Sequence, residues 1–341
     1  MTTVLHTKRL INSSTINHFK EVTIPVPWGK ISGKWWGPTN EKPILCIHGF
    51  RDNCGSFDKL IPFLSQDRDI SFLAIDLPGH GFSSPFPKGM IYNFMNYIIL
   101  VQQIYEYFSF SKLSLLGHSL GSMISFISTI LYPEKVDFLM CIDALHPLQS
   151  TVSKETVRNS IDNYMKYNKF TKEPPSYTWE EILDKMNIAY KHSLGKDSTL
   201  CLLERNIAVS KEFHGKYYFN SDPMLKVRTM FNWTQEQMIK DAATIANPIF
   251  ICEAKQNYAR KYRKNFYEIV NIVQKHNKDC EFHTISGTHH LHLNEPEKIG
   301  ILLKKFLNKH NKSETYNLKD FSIFSSPVPS ILSAQVVKHK L

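Results

Sequence analysis

No C-x-x-C pair and no regular spacing occur among the six cysteines of this 341-residue chain, at positions 46, 54, 141, 201, 252 and 280. That absence argues against a zinc ribbon, a thioredoxin-like redox motif and a disulfide framework. Cys46, Cys141 and Cys252 lie inside apolar runs, where a free thiol behaves as a small hydrophobe, and this usage suits a reducing compartment. The first twenty residues contain no acid and no continuous apolar stretch, so they do not read as a secretory signal peptide. No later run is long and apolar enough to span a bilayer, and no internal repeat is present. The chain is basic, with 41 Lys and Arg against 31 Asp and Glu and a formal net charge of +10. It has no basic block flanked by stacking aromatics, so the charge is read as a solubility property, with no nucleic-acid partner and no stable membrane insertion expected.

What the chain does have is apolar mass: 42% hydrophobic and 12% aromatic residues, enough for one large domain carrying an insertion. Residues 22–28 and 30–36, separated by Gly29, read as an opening hairpin. Short apolar runs at 44–47, 72–75, 113–116 and 138–142 then alternate with segments of helical length. Such alternation implies parallel β-α-β units, because a parallel pair of strands needs a long crossover. From about 147 to 247 the strand pattern lapses, and 178–194 and 235–245 carry helical spacing. The alternation resumes with a strand at 248–252, a helix at 259–276, a strand at 281–286 and a helix at 296–310. The expected organisation is an arm at 1–19, a core formed by 20–146 and 247–310, a helical cap inserted at 147–246, and a loosely held tail at 311–341.

Gly117-His118-Ser119-Leu120-Gly121 matches the G-x-S-x-G nucleophile elbow, directly after one of these strands and before an apolar helical run. The glycines suit a turn so tight that side chains two before and two after the serine would clash. The helix that follows points its amides and the positive end of its dipole at developing negative charge. Ile47-His48-Gly49-Phe50 follows an earlier strand, where the backbone N–H of Phe50 would act with that of Leu120 as an oxyanion hole. His48 is read as shaping its loop, as is the run 76–81.

The segments WGKISGKWWG, HGFRDN, LPGHGFSS, GHSLGSMISF, IDALHP and NEP, spread over roughly residues 20 to 310, resemble the serine hydrolase-like family of the kraken type, within the α/β-hydrolase superfamily. The resemblance implies an α/β fold with a mostly parallel eight-stranded sheet, helices on both faces and a helical cap. It also implies a general base late in the chain, in a G-x-H-x-x-H-x-x-x-P-like segment. Gly287, His292 and Pro296 fall into that register only if the base is His289, which leaves His290 and His292 as structural or pocket-lining residues. The position where relatives place the triad acid holds Asn257. The other site used by this fold, the end of the preceding strand, offers Asp143, with Glu253 and Asn257 in reserve. No companion carboxylate or cysteine set stands at ligand spacing from the three histidines, so no metal is expected, and no cofactor either.

A serine at the elbow sets aside dehalogenase and epoxide-hydrolase chemistry, which attacks with a carboxylate. The expected function is therefore cleavage of a small hydrophobic ester or thioester through an acyl-enzyme, by Ser119, His289 and Asp143. The alternative is a non-catalytic small-molecule-binding protein of the same fold. His118, Phe219 and Trp233 are expected to line the substrate pocket, within a cap segment that is also rich in Phe213, Tyr217, Tyr218, Met224, Met230 and Phe231. A cytoplasmic location is expected. The final His339-Lys340-Leu341 resembles a peroxisomal S-K-L address at two of three positions, which suggests a minor peroxisomal fraction.

Overall fold

A computed structural model describes residues 19–66, 70–147, 153–170, 173–227, 233–257, 263–312, 314–316, 318 and 321–325. The arm up to residue 18, Met230, Phe231 and the last three residues lie outside that set. The chain opens with an antiparallel hairpin, β1 (Phe19–Val26) and β2 (Gly29–Trp36). Strands β3 (Ile44–Ile47), β4 (Phe72–Ile75), β5 (Leu113–His118), β6 (Val136–Ile142), β9 (Ile249–Ala254) and β10 (Cys280–Ile285) are parallel to their neighbours among themselves. The sheet order is β10-β9-β6-β5-β3-β4-β2-β1-β11.

Period-2 alternation puts Leu45, Ile47, Leu73 and Ile75 on one face and Ile44, Cys46, Phe72 and Ala74 on the other, and both sets are buried. Helices α2 (Phe94–Phe108), α3 (Leu120–Leu131) and α8 (Arg263–His276) cover the first face. Helices α1 (Leu60–Leu64) and α10 (Pro296–His310) cover the second. Each fully buried Leu, Ile or Phe in these layers contributes roughly 1.5–3 kcal/mol of transfer free energy.

Two details depart from the sequence reading. Among the described residues the sheet has nine strands rather than eight, because part of the chain beyond α10 is packed onto it. Tyr316 N–H donates to Asn40 O at 2.7 Å, Leu318 and Ile323 are buried, and β11 (Phe324–Ser325) pairs antiparallel with β1. Apolar Leu318, Ile323 and Phe324 cover an edge that β1 would otherwise leave open. The insertion contains α4 (Lys154–Tyr167), α5 (Trp179–Ala189), α6 (Lys196–Asn206) and α7 (Gln235–Ala242), and also a small antiparallel pair, β7 (Ile207–Val209) with β8 (Tyr217–Phe219).

The cap has its own small core of Ile182, Met186, Leu202, Leu203, Ile207 and Tyr217, closed by Leu293 from the main domain. Polar ties fix its position over the carboxyl ends of the strands. Asn53, which follows β3, donates to Leu202 O at 2.8 Å and Asn206 Oδ1 at 2.9 Å. Arg205 of α6, itself buried, reaches Glu21 of β1 at 2.6 Å and Asp76 after β4 at 2.8 Å.

Candidate active site

The chain order reverses between β3 and its two neighbours β4 and β5, and at such a switch point the carboxyl ends of a parallel sheet open a crevice. Ser119 stands there between β5 and α3. Its backbone has φ 51° and ψ −113°, a conformation costly for any residue with a Cβ and one that pushes the side chain out of the turn. The flanking glycines are required by space. A Cβ on Gly121 would lie 1.8 Å from Ile47 O, and one on Gly117 would lie 2.3 Å from Gly121 C. The turn is held by Ser119 N–H donating to Ile142 O at 3.0 Å.

A cavity of about 150 Å³ opens over Ser119, and its walls include Gly49, Phe50, Arg51, Asp52, His118, Tyr190, Ser193, His289 and His290. Phe50 comes from the loop after β3, and Leu120 is the first residue of α3, where backbone N–H groups have no partner within the helix. A second cavity of about 220 Å³ under the cap shares Arg51, Ala189 and Tyr190 with the first, and Met186, Phe219 and Leu225 line it. Phe219 therefore faces the neighbouring cavity. Trp233 belongs to neither of these two linings and packs, partly buried, against the main core.

His289 follows β10 on the loop before α9 (Leu291–Asn294). Its Nδ1 lies 2.6 Å from Oδ2 of Asp143, at the end of β6. An ionised carboxylate only accepts, so Nδ1 carries the proton and the neutral ring keeps its lone pair on Nε2. Asp143 has a left-handed backbone, φ 56°, which a short polar side chain tolerates. Its Oδ1 accepts from Ala254 N–H at 2.7 Å, and its Oδ2 accepts from Asn257 Nδ2 at 2.9 Å as well as from His289. Asn257 thus holds the Asp143 carboxylate in place. Glu253 is engaged elsewhere, with Arg263 at 2.8 Å and Tyr267 at 2.7 Å.

The remaining histidines differ in role. His48 accepts from Leu77 N–H at 2.9 Å and contacts Gly49 O at 2.7 Å, so it ties two loops together. His292 meets Ser56 Oγ at 2.9 Å and packs against Phe57. His118 is fully buried, and its Nε2 lies 3.0 Å from the backbone carbonyl of His289, which it positions. Burial first, with His289 and His290 adding to it, pulls the His118 pKa down to about 4 against the opposing effect of Asp52.

Asp52 overturns one expectation. The histidine cluster does have a companion carboxylate: Asp52 Oδ2 lies 3.3 Å from His118 Nδ1 and Oδ1 lies 3.5 Å from His290 Nε2. Burial raises the Asp52 pKa, but His290 and His118 outweigh it and hold the carboxyl well below its usual range. The HGFRDN run shows Asp52 in the sequence, yet only folding brings it beside residues near the other end of the chain.

Comparison with known proteins agrees with this architecture. Residues 42–176 match the family model described as alpha/beta hydrolase fold. A hypothetical protein of Pseudomonas aeruginosa superposes with TM-score 0.73 at 23% identity, over 85% of this chain and 99% of that one. The thioesterase domain from the curacin biosynthetic pathway superposes with TM-score 0.68 at 19% identity, over 84% and 99%. The chain is thus built as an α/β-hydrolase. Among sequences, a probable serine hydrolase of Drosophila melanogaster is 32% identical over 295 residues, 85% of this chain and 88% of the relative. A serine hydrolase-like protein of Danio rerio is 29% identical over 300 residues, 86% and 90% respectively. The chain belongs to the serine hydrolase-like family.

Proposed function

We propose that the protein hydrolyses a carboxylic ester, or a thioester, of an apolar acid through an acyl-enzyme. The observation that carries this reading is the 2.6 Å contact between His289 Nδ1 and Asp143 in the wall of the cavity that holds Ser119. Ser119 Oγ attacks the carbonyl carbon while His289 Nε2 takes its proton, and the leaving alcohol or thiol departs with that proton. Water then repeats the sequence and releases the acid. Asp143 holds the imidazole in the required tautomer and stabilises the imidazolium. The backbone N–H groups of Phe50 and Leu120 receive the oxyanion. Met186, Phe219 and Leu225 offer the acyl or alcohol group an apolar surface next door.

A fluorophosphonate probe and a series of aryl esters of increasing acyl length test the reading. Covalent labelling and turnover that both vanish in Ser119→Ala are expected. Folded protein that neither labels nor turns over any ester would overturn hydrolysis and leave the non-catalytic binding protein.

A further inference from the structure

Two carboxylates meet histidine rings at this site, and their contacts differ. His289 and Asp143 are 2.6 Å apart, the length of a charge-assisted hydrogen bond. Asp52 stands 3.3 Å from His118 Nδ1 and 3.5 Å from His290 Nε2, too long for that kind of bond. Tautomers sharpen the difference. A carbonyl oxygen only accepts, so His118 Nε2, 3.0 Å from His289 O, must carry the hydrogen. His118 Nδ1 is then the ring atom that faces the Asp52 carboxylate, at 3.3 Å. His118 Nδ1 and Asp52 Oδ1 are buried, and neither has a hydrogen-bond partner among the described residues. A cation is what such a pair lacks.

We propose that Asp52, His118 and His290 form a binding site for one divalent transition-metal ion of the zinc class. Bonds of about 2.1 Å at tetrahedral or octahedral angles place neighbouring donor atoms about 3.0–3.4 Å apart; here one Asp52 oxygen lies 3.3 Å from His118 Nδ1 and its other oxygen 3.5 Å from His290 Nε2. All three donor atoms lie within 4.8 Å of one another. Two imidazoles and one carboxylate suit zinc and its neighbours, whereas magnesium and calcium prefer oxygen alone. The outer contacts are those that orient metal ligands: His118 donates to the His289 carbonyl, and His290 Nδ1 meets Ser193 Oγ at 2.8 Å. Ser56 Oγ steadies Asp52 at 3.3 Å. Gly49 leaves the gap open, since a Cβ there would stand 2.9 Å from both Asp52 Oδ2 and His118 Nδ1. Asp52, His118 and His290 all line the cavity over Ser119.

The site does not depend on Ser119 acting as a nucleophile. The His289 ring packs on His118 at 4.7 Å and on His290 at 5.2 Å between centroids, so the proposed site adjoins the candidate base.

Metal-free full-length protein titrated with Zn²⁺ by calorimetry, and with Co²⁺ by visible absorption, tests the site directly. One equivalent is expected per chain, with affinity at least tenfold weaker in Asp52→Asn and in His290→Ala. Ser119→Ala, which removes the proposed nucleophile, and His283→Ala, which removes a histidine away from the cavity, should bind as the parent does. X-ray absorption of the zinc-loaded parent keeps the test independent of variant folding and should show two imidazoles with oxygen. No binding, binding indifferent to Asp52→Asn and His290→Ala, or a zinc shell without two imidazoles would each overturn the proposal.

Discussion

Asp143 and Asn257 act as a pair. The carboxylate sits at the end of β6 and the amide sits after β9, and Asn257 Nδ2 donates to Asp143 Oδ2 at 2.9 Å. The same carboxylate oxygen meets His289, so the amide orients the carboxylate that orients the ring. Asp143→Asn should leave the fold nearly intact and turn His289 to the wrong tautomer, with kcat falling about 10⁴-fold on the triad precedent. The swap Asp143→Asn with Asn257→Asp keeps one carboxylate and one amide in contact, and its kcat should exceed that of Asp143→Asn alone. Asn257→Asp alone sets two carboxylates side by side, where like charges force a shared proton, so it should lower activity. Steady-state ester hydrolysis by the three variants decides the matter, and full activity in Asp143→Asn would remove Asp143 from the site.

The elbow and the cap tie each make a demand on how elements pack. At Gly121, helix α3 runs so close to β3 that the added methyl of Gly121→Ala would lie 1.8 Å from the Ile47 carbonyl oxygen, a backbone atom that cannot turn aside. That variant should be among the most destabilising single changes in the chain, visible as a loss of cooperative thermal unfolding, whereas Gly215→Ala, with nothing within 4 Å of the new methyl, pays only for its positive φ. Arg205 binds α6 to β1 and to the loop after β4 at once. Asp76 keeps a lowered pKa because Arg205 and two backbone N–H groups outweigh its burial. Arg205→Ala leaves Glu21 and Asp76 buried without their counter-ion and should cost about 3–5 kcal/mol in chemical denaturation. Arg205→Lys should recover little of it, since an ammonium cannot reproduce the two-sided fork.

For the molecule as a unit, buried histidines tie stability to pH. Burial pulls His80 down to about 3 and lowers His48 and His146 as well. In the unfolded chain such rings take up protons near pH 6.5, while in the fold they stay neutral to lower pH. The unfolded state therefore binds more protons in acid, so stability is fully present above about pH 7 and falls as pH drops through 6.5. Each ring contributes a loss of up to about 1.4 kcal/mol per pH unit in that window. Urea unfolding in the presence of a chelator should show a midpoint that declines clearly from pH 7 to pH 5. A flat midpoint over that range would mean that these rings are not held neutral.

Where the information is local, the residues alone were enough. Short apolar runs marked β3 and β4 to the residue, Pro296 marked the start of α10, and the paired glycines around Ser119 marked the elbow, because such runs and tight turns depend on neighbours a few positions away. The β7-β8 pair, the edge strand β11 and the packing of Trp233 were not legible there. Each depends on which distant surface is left to cover, and short apolar segments do not carry that in their own pattern. The same limit governs the site. Asp143 and His289 are 146 residues apart, and Asp52 reaches His118 and His290 from a third loop. A sequence can show that a carboxylate ends a strand. Only the order in which the strands lie side by side decides which ring that carboxylate meets, and at what distance.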